Sequence, residues 1–120
     1  MASIADDGTR VADLISRFGM AWNDHDLDSA LALCTDDIAF ESTGPAPDGE
    51  RAVGKAAVRG AWQAIFADAA AQFTTEDLIV AGDRAVTTWR YDWVDGHVRG
   101  VDVLRVRDGK VAEKLSYVKG

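Results

Sequence analysis

A chain of 120 residues, 48% hydrophobic and 28% charged, has the balance of one globular domain spanning 1–120, long enough to bury a core without disulfide or metal staples. Its net charge of −7 and its lack of any basic patch argue against a nucleic-acid partner, because phosphate backbones select clustered Lys and Arg. No stretch approaches the ~20 apolar residues of a membrane span. Met1 to Arg10 carries Asp6 and Asp7 and no long apolar run, so no signal peptide and a cytoplasmic location are expected.

The first half of the chain reads as helical. Val11, Leu14, Ile15, Phe18, Ala21 and Trp22 recur at i, i+3, i+4, i+7 spacing, which marks one apolar helix face, with Thr9 as a candidate N-cap. Asn23-Asp24-His25-Asp26 breaks the pattern, and a short second helix follows with Leu27, Ala30, Leu31 and Cys34 inward. The single cysteine excludes an intramolecular disulfide and a multi-Cys metal site, and its Ala/Leu-rich surroundings read as core rather than nucleophile. Ile38 to Ser42 reads as a first strand with Ile38, Phe40 and Ser42 on one face. Thr43 to Gly54, with Pro45, Pro47 and three glycines, reads as a lid or binding loop. Lys55 to Ala70 reads as a third helix, with Val58, Trp62, Ile65, Phe66 and Ala69 on one stripe.

The second half reads as strands: Phe73 to Val80, Arg84 to Val94, His97 to Arg107 and Lys110 to Val118, separated by Gly82-Asp83, Asp95-Gly96 and Asp108-Gly109. Asp-Gly between alternating runs is a strong hairpin signal. The predicted architecture is α+β, a cone-shaped, curved, mostly antiparallel sheet around three helices from the N-terminal half, in the order α-α-β-α-β-β-β-β.

One acid stands out. Asp102 interrupts the apolar run Val101 to Val106, and a carboxylate inside a sheet is costly unless it is hydrogen-bonded or paired. Upstream, Arg90 and Asp92 share one strand face and Trp89, Tyr91 and Trp93 the other. Composition alone turns the aromatics to the core and the charges to water.

The order of elements, the connection Trp22-Asn23-Asp24-His25-Asp26-Leu27-Asp28, and above all the closing segment Arg99 to Val111 resemble the nuclear-transport-factor-2-like superfamily, and within it the SnoaL-like group. The resemblance implies a deep apolar pocket between sheet and helices, with Arg90, Asp92 and Asp102 facing it. In ketosteroid isomerases of this superfamily an acid at the position of Asp102 donates a hydrogen bond to a developing oxyanion. The partner tyrosine falls at Phe18 and the proton-abstracting aspartate at Ser42, so that mechanism is not expected here. In limonene-type epoxide hydrolases an Arg-x-Asp, which Arg90-Tyr91-Asp92 resembles, works with a second acid that falls at Ser116. In polyketide cyclases one pocket aspartate is the acid/base, a role open to Asp102 or Asp92.

On this orientation the aromatic face of the strand needs another cover, and a second copy docking on the outer sheet face is expected, with Val101, Val103, Leu115 and Tyr117 extending the patch. Lys114 and Ser116 point inward by the same alternation. The expected site has Asp102, Asp92 and Arg90 as catalytic groups, one carboxyl protonated and one ionised against Arg90, and Phe18, Trp22, Phe40, Ser42, Trp62, Phe66, Leu104, Lys114 and Ser116 against the substrate. His25 reads as a solvated connector and His97 as exposed, and neither a metal nor a cofactor is called for. The expected function is general acid/base catalysis on an apolar oxygenated small molecule, of cyclase, isomerase, dehydratase or epoxide-opening type. A non-catalytic hydrophobic-ligand binder and a dimerisation domain are the alternatives.

Overall fold

The computed structural model describes residues 4–119, with side chains from Gly8 onward; 1–3, the start of the segment read as lacking a signal peptide, lie outside the described residues. Helix α1 spans Ile4–Asn23, α2 Leu27–Ala32 and α3 Lys55–Phe66. The strands are β1 Cys34–Glu41, β2 Arg51–Val53, β3 Gln72–Ala81, β4 Arg84–Trp93, β5 Gly96–Arg107 and β6 Lys110–Val118. They form one six-stranded sheet in the order β2-β1-β6-β5-β4-β3. Every pairing is antiparallel except β1 with β6, so the last strand of the chain lies in the interior of the sheet. The architecture is the expected α+β one: helices from the N-terminal half against one face of a curved, mostly antiparallel sheet.

Several boundaries differ from expectation, each for a local reason. Helix α1 begins at Ile4, so Thr9 lies within it and is not its N-cap. Strand β1 starts four residues early, at Cys34, because Cys34 pairs with Val111 across the parallel seam. Its register then shifts before Ala39 meets Glu113. The region read as a plain loop contains β2, whose three residues pair with Ala39 to Glu41 and whose Arg51 Nη1 donates to Glu41 Oε2 at 2.8 Å. Three residues are too few for an alternation signal. Helix α3 stops at Phe66 instead of Ala70. The chain turns at Asp68, whose carbonyl accepts from Ala71 N, and Ala71 is drawn into the interior, leaving Ala69 exposed.

The apolar faces read from spacing meet in one core. Val11, Leu14, Ile15, Phe18 and Trp22 of α1 pack with Val58, Trp62 and Phe66 of α3 over Ile38, Phe40, Ala85, Leu104 and Val111 of the sheet. Trp62 is fully buried, with ring centroids 5.0 Å from Trp22, 5.7 Å from Phe18 and 5.7 Å from Phe40. Burying an indole of that size contributes roughly 4–6 kcal/mol before conformational entropy is charged. Between α1 and α2, Asp26 caps α2 by accepting from Ser29 N at 3.1 Å and Ser29 Oγ at 2.7 Å, bonds that hold its carboxyl below the ordinary range. Cys34 is core as expected. Its Sγ donates to Ala30 O at 3.3 Å, and burial, only partly offset by Lys55, Lys114 and Lys110, pushes the thiol up to about 12.

Candidate active site

Two hollows lie between the helices and the inner face of the sheet. A helix-side hollow of about 420 Å³ opens between α1 and β3, and a hairpin-side hollow of about 450 Å³ opens between the Ser42-Thr43 turn, the end of α3 and the β4–β5 hairpin. Both volumes are within the range of small-molecule sites. Trp22, Phe73, Trp89 and Lys114 line both, so the two chambers meet along a common wall.

At that wall sits an ion pair. Lys114 Nζ lies 3.1 Å from Asp102 Oδ2, and the side chains are only 8% and 12% exposed. Strand register makes the pair possible: Asp102 is opposite Ser116 and Leu104 is opposite Lys114, so Asp102 and Lys114 are diagonal neighbours on one sheet face. Lys114 Nζ also donates to Ser116 Oγ at 2.8 Å and stands 4.6 Å from the Trp22 ring centroid and 5.1 Å from that of Phe40. Two aromatic faces at that range give the desolvated ammonium partial electrostatic compensation. Asp102 Oδ1 is buried and has no hydrogen-bond partner among the described residues. The indole nitrogens of Trp22 and Trp89 are likewise buried without acceptors among those residues.

The residues expected at the site fall in one hollow, in both or in neither. Asp102, Leu104, Lys114, Phe18 and Trp22 line the helix-side hollow, and Trp22, Phe40, Ser42, Lys114 and Ser116 line the hairpin-side one. Ser42 stands at the rim, where its Oγ donates to Gly44 O at 2.7 Å and accepts from Glu50 N at 3.0 Å. Trp62 and Phe66 line neither hollow and pack behind Trp22 as core. His25 is half-buried rather than solvated, with its ring 6.2 Å from Phe66, and His97 is exposed. Among the described residues, no group of three or more His, Cys, Asp or Glu is placed to hold a metal ion.

Arg90 and Asp92 are not brought to the site. On β4, Ala85, Thr87 and Trp89 are buried, so alternation turns Arg90 and Asp92 to the outer face. There Arg90 Nε donates to Asp92 Oδ1 and Oδ2 at 2.9 and 3.1 Å, with side chains 44% and 38% exposed. An exposed pair of this kind contributes at most about 1 kcal/mol. The same parity overturns the aromatic outer patch: Trp89, Tyr91 and Trp93 line the hairpin-side hollow. Composition alone had the orientation right.

The signal that settles the strand's facing is Gly100. It pairs with Trp89, and a Cβ there would stand 2.5 Å from Trp89 Cζ2 and 2.3 Å from the carbonyl oxygen of Tyr117. The bare glycine is the slot in which the Trp89 indole lies. Gly100→Ala should therefore cost about 1–3 kcal/mol in urea unfolding and change the tryptophan emission, whereas a passive strand glycine would gain from the substitution.

The comparisons with known proteins come down to one family and one fold. The model of the SnoaL-like domain matches residues 15–114. An NTF2-like protein of unknown function from Mesorhizobium loti is 40% identical over 96% of this chain and 95% of its own, with a TM-score of 0.87. A proposed ketosteroid isomerase from Kribbella flavida is 21% identical over 95% of this chain and 81% of its own, at a TM-score of 0.82. A proposed polyketide cyclase from Xanthomonas campestris is 22% identical over 94% and 93%, at 0.71. At those identities the last two speak to the fold alone. No curated protein matches the chain.

Proposed function

This chain belongs to the SnoaL-like domain family, and on that premise we propose that it is an acid/base enzyme acting on an apolar oxygenated small molecule, with Asp102 as base and Lys114 as electrophile. The observation that carries the proposal is the ion pair at 3.1 Å, buried where two largely apolar chambers meet. A buried pair is a poor way to stabilise a fold, because desolvation offsets its attraction. It is a good way to keep a carboxylate and an ammonium side by side in a place of low dielectric.

The chemistry that fits is proton transfer beside a carbonyl. The Asp102 carboxylate takes a proton from the carbon next to the carbonyl. The charge that develops on the carbonyl oxygen is met by an N–H of Lys114, whose other donors are engaged by Asp102 and Ser116. Returning the proton elsewhere gives isomerisation, attack on a second carbonyl gives ring closure, and loss of a β-hydroxyl gives dehydration. The Arg-x-Asp route to epoxide opening is not available with Arg90 and Asp92 on the outer face. Deuterium exchange at the α-carbon of 2-indanone and 2-tetralone, followed by proton NMR, tests the reading. The wild-type chain should accelerate exchange and Asp102→Asn should not; equal rates for a folded variant would end the assignment.

For the outer face, the second copy remains a proposal, resting now on the half-buried Val101, Val103 and Leu115 and the 51%-exposed Tyr117 instead of the aromatic stripe. Light scattering at micromolar concentration should give twice the chain mass, and Tyr117→Glu should halve it.

A further inference from the structure

We infer that the helix-side hollow, the chamber that Asp102 lines, is a ligand subsite that selects a hydroxyl donor attached to a compact apolar body. It would hold whether or not the pair at its floor is catalytic, because it concerns binding alone. Asp102 lines this hollow and not the other one, and the residue is nine-tenths buried. One carboxylate oxygen is held by Lys114, and the other lacks any donor among the described residues. Rotation about the last torsion of an Asp side chain is soft, so the carboxylate can turn to present either oxygen to the chamber while the other keeps Lys114. An O–H entering the hollow supplies what the carboxylate lacks. A carbonyl or ether oxygen would instead set its lone pairs against the carboxylate's own.

The walls fix the rest of the ligand. Ile15, Phe18, Leu78, Trp89 and Leu104 present apolar surface, while Ser16, Thr75 and Thr87 add short hydroxyls. About 420 Å³ accommodates a caged or bicyclic hydrocarbon. The mouth is set by Gly19 of α1. A Cβ there would reach 3.6 Å from Thr75 Oγ1 across the opening, so a larger side chain would close it.

The probes are 1-adamantanol, its methyl ether and 2-adamantanone, titrated against the folded chain by calorimetry and tryptophan fluorescence. The alcohol should bind at least about tenfold more tightly than the ether or the ketone, the difference a hydrogen bond to a charged acceptor makes. In Asp102→Asn the side-chain amide can keep its oxygen on Lys114 and turn its N–H₂ to the chamber, so the preference should vanish or reverse. Gly19→Leu should abolish binding. Ser16→Trp reaches the same chamber from an exposed position on α1 and should do likewise if the glycine variant misfolds. Thr43→Trp, at the rim of the hairpin-side hollow, should leave binding intact. Equal affinities for the three probes, or loss of binding in Thr43→Trp with retention in the Gly19 or Ser16 variant, would overturn the inference. Failure of the ketone-exchange experiment would leave it standing.

Discussion

Lys114→Met should lower the stability of the domain by about 3–5 kcal/mol, read from urea unfolding, while the double variant Lys114→Met with Asp102→Leu should recover most of that loss. The asymmetry follows from burial. The Lys114 and Asp102 side chains are 8% and 12% exposed, and Trp22, Phe40 and Leu104 surround them with apolar surface. Removing the ammonium alone leaves a carboxylate in a place with little water and only its own strand neighbours. Removing both leaves two apolar side chains of similar volume in an apolar chamber. If the single variant is as stable as wild type, the ion pair is solvated in the working molecule, and the low-dielectric argument for its chemistry goes with it. A double variant no better than the single one would mean that packing, not charge, made the difference.

Asp102→Asn should reduce the rate of α-proton exchange by roughly 10²–10⁴-fold with a smaller change in KM, the range expected when a positioned base is removed. Asparagine keeps the shape and can still accept from Lys114, so the loss would report the missing proton acceptor rather than a collapsed chamber. Near-UV circular dichroism of the variant checks that the tryptophans around the site keep their packing. A parallel rise in KM with unchanged kcat would make Asp102 a binding group only.

The helices and hairpins of this chain are legible because their signals are local. Phe18 and Trp22 repeat at helical spacing, Asp108-Gly109 sits between β5 and β6, and Asp95-Gly96 falls one residue past the Val94-Asp95 turn between β4 and β5, so sequence spacing and spatial spacing agree closely. Asp102 and Lys114 are legible for a related reason: each is a charge at an inward position of a strand whose neighbours on that face, Leu104 and Ala112, are buried. Arg90 and Asp92 are different. Their strand carries charges on one face and aromatics on the other, and either face is a plausible interior until the partner strand is known. The resemblance to epoxide hydrolases favoured the charged face, and the bare Gly100 opposite Trp89 favours the aromatic one. That information lies in cross-strand register, eleven residues away in the chain, and no periodicity within β4 contains it. The hollows themselves were legible only as a family expectation, because a wall residue and a core residue have the same spacing: Trp22 on the apolar stripe of α1 lines both chambers, and Trp62 on the equivalent stripe of α3 lines neither.

The parallel seam between β1 and β6 has a consequence for how the molecule comes into being. During synthesis the helices and the first strand emerge early, yet the neighbour that β1 requires is the last of the six strands, about eighty residues later as Cys34 finds Val111. Until Lys110 to Val118 is out of the ribosome, β1 and β5 each offer an unpaired edge, which is an invitation to aggregate. Lys114 rides on that final strand, so the nascent chain carries Asp102 without its counter-charge until the last gap in the sheet is closed. Assembly of the charged pair is thereby tied to arrival of the sixth strand of the sheet.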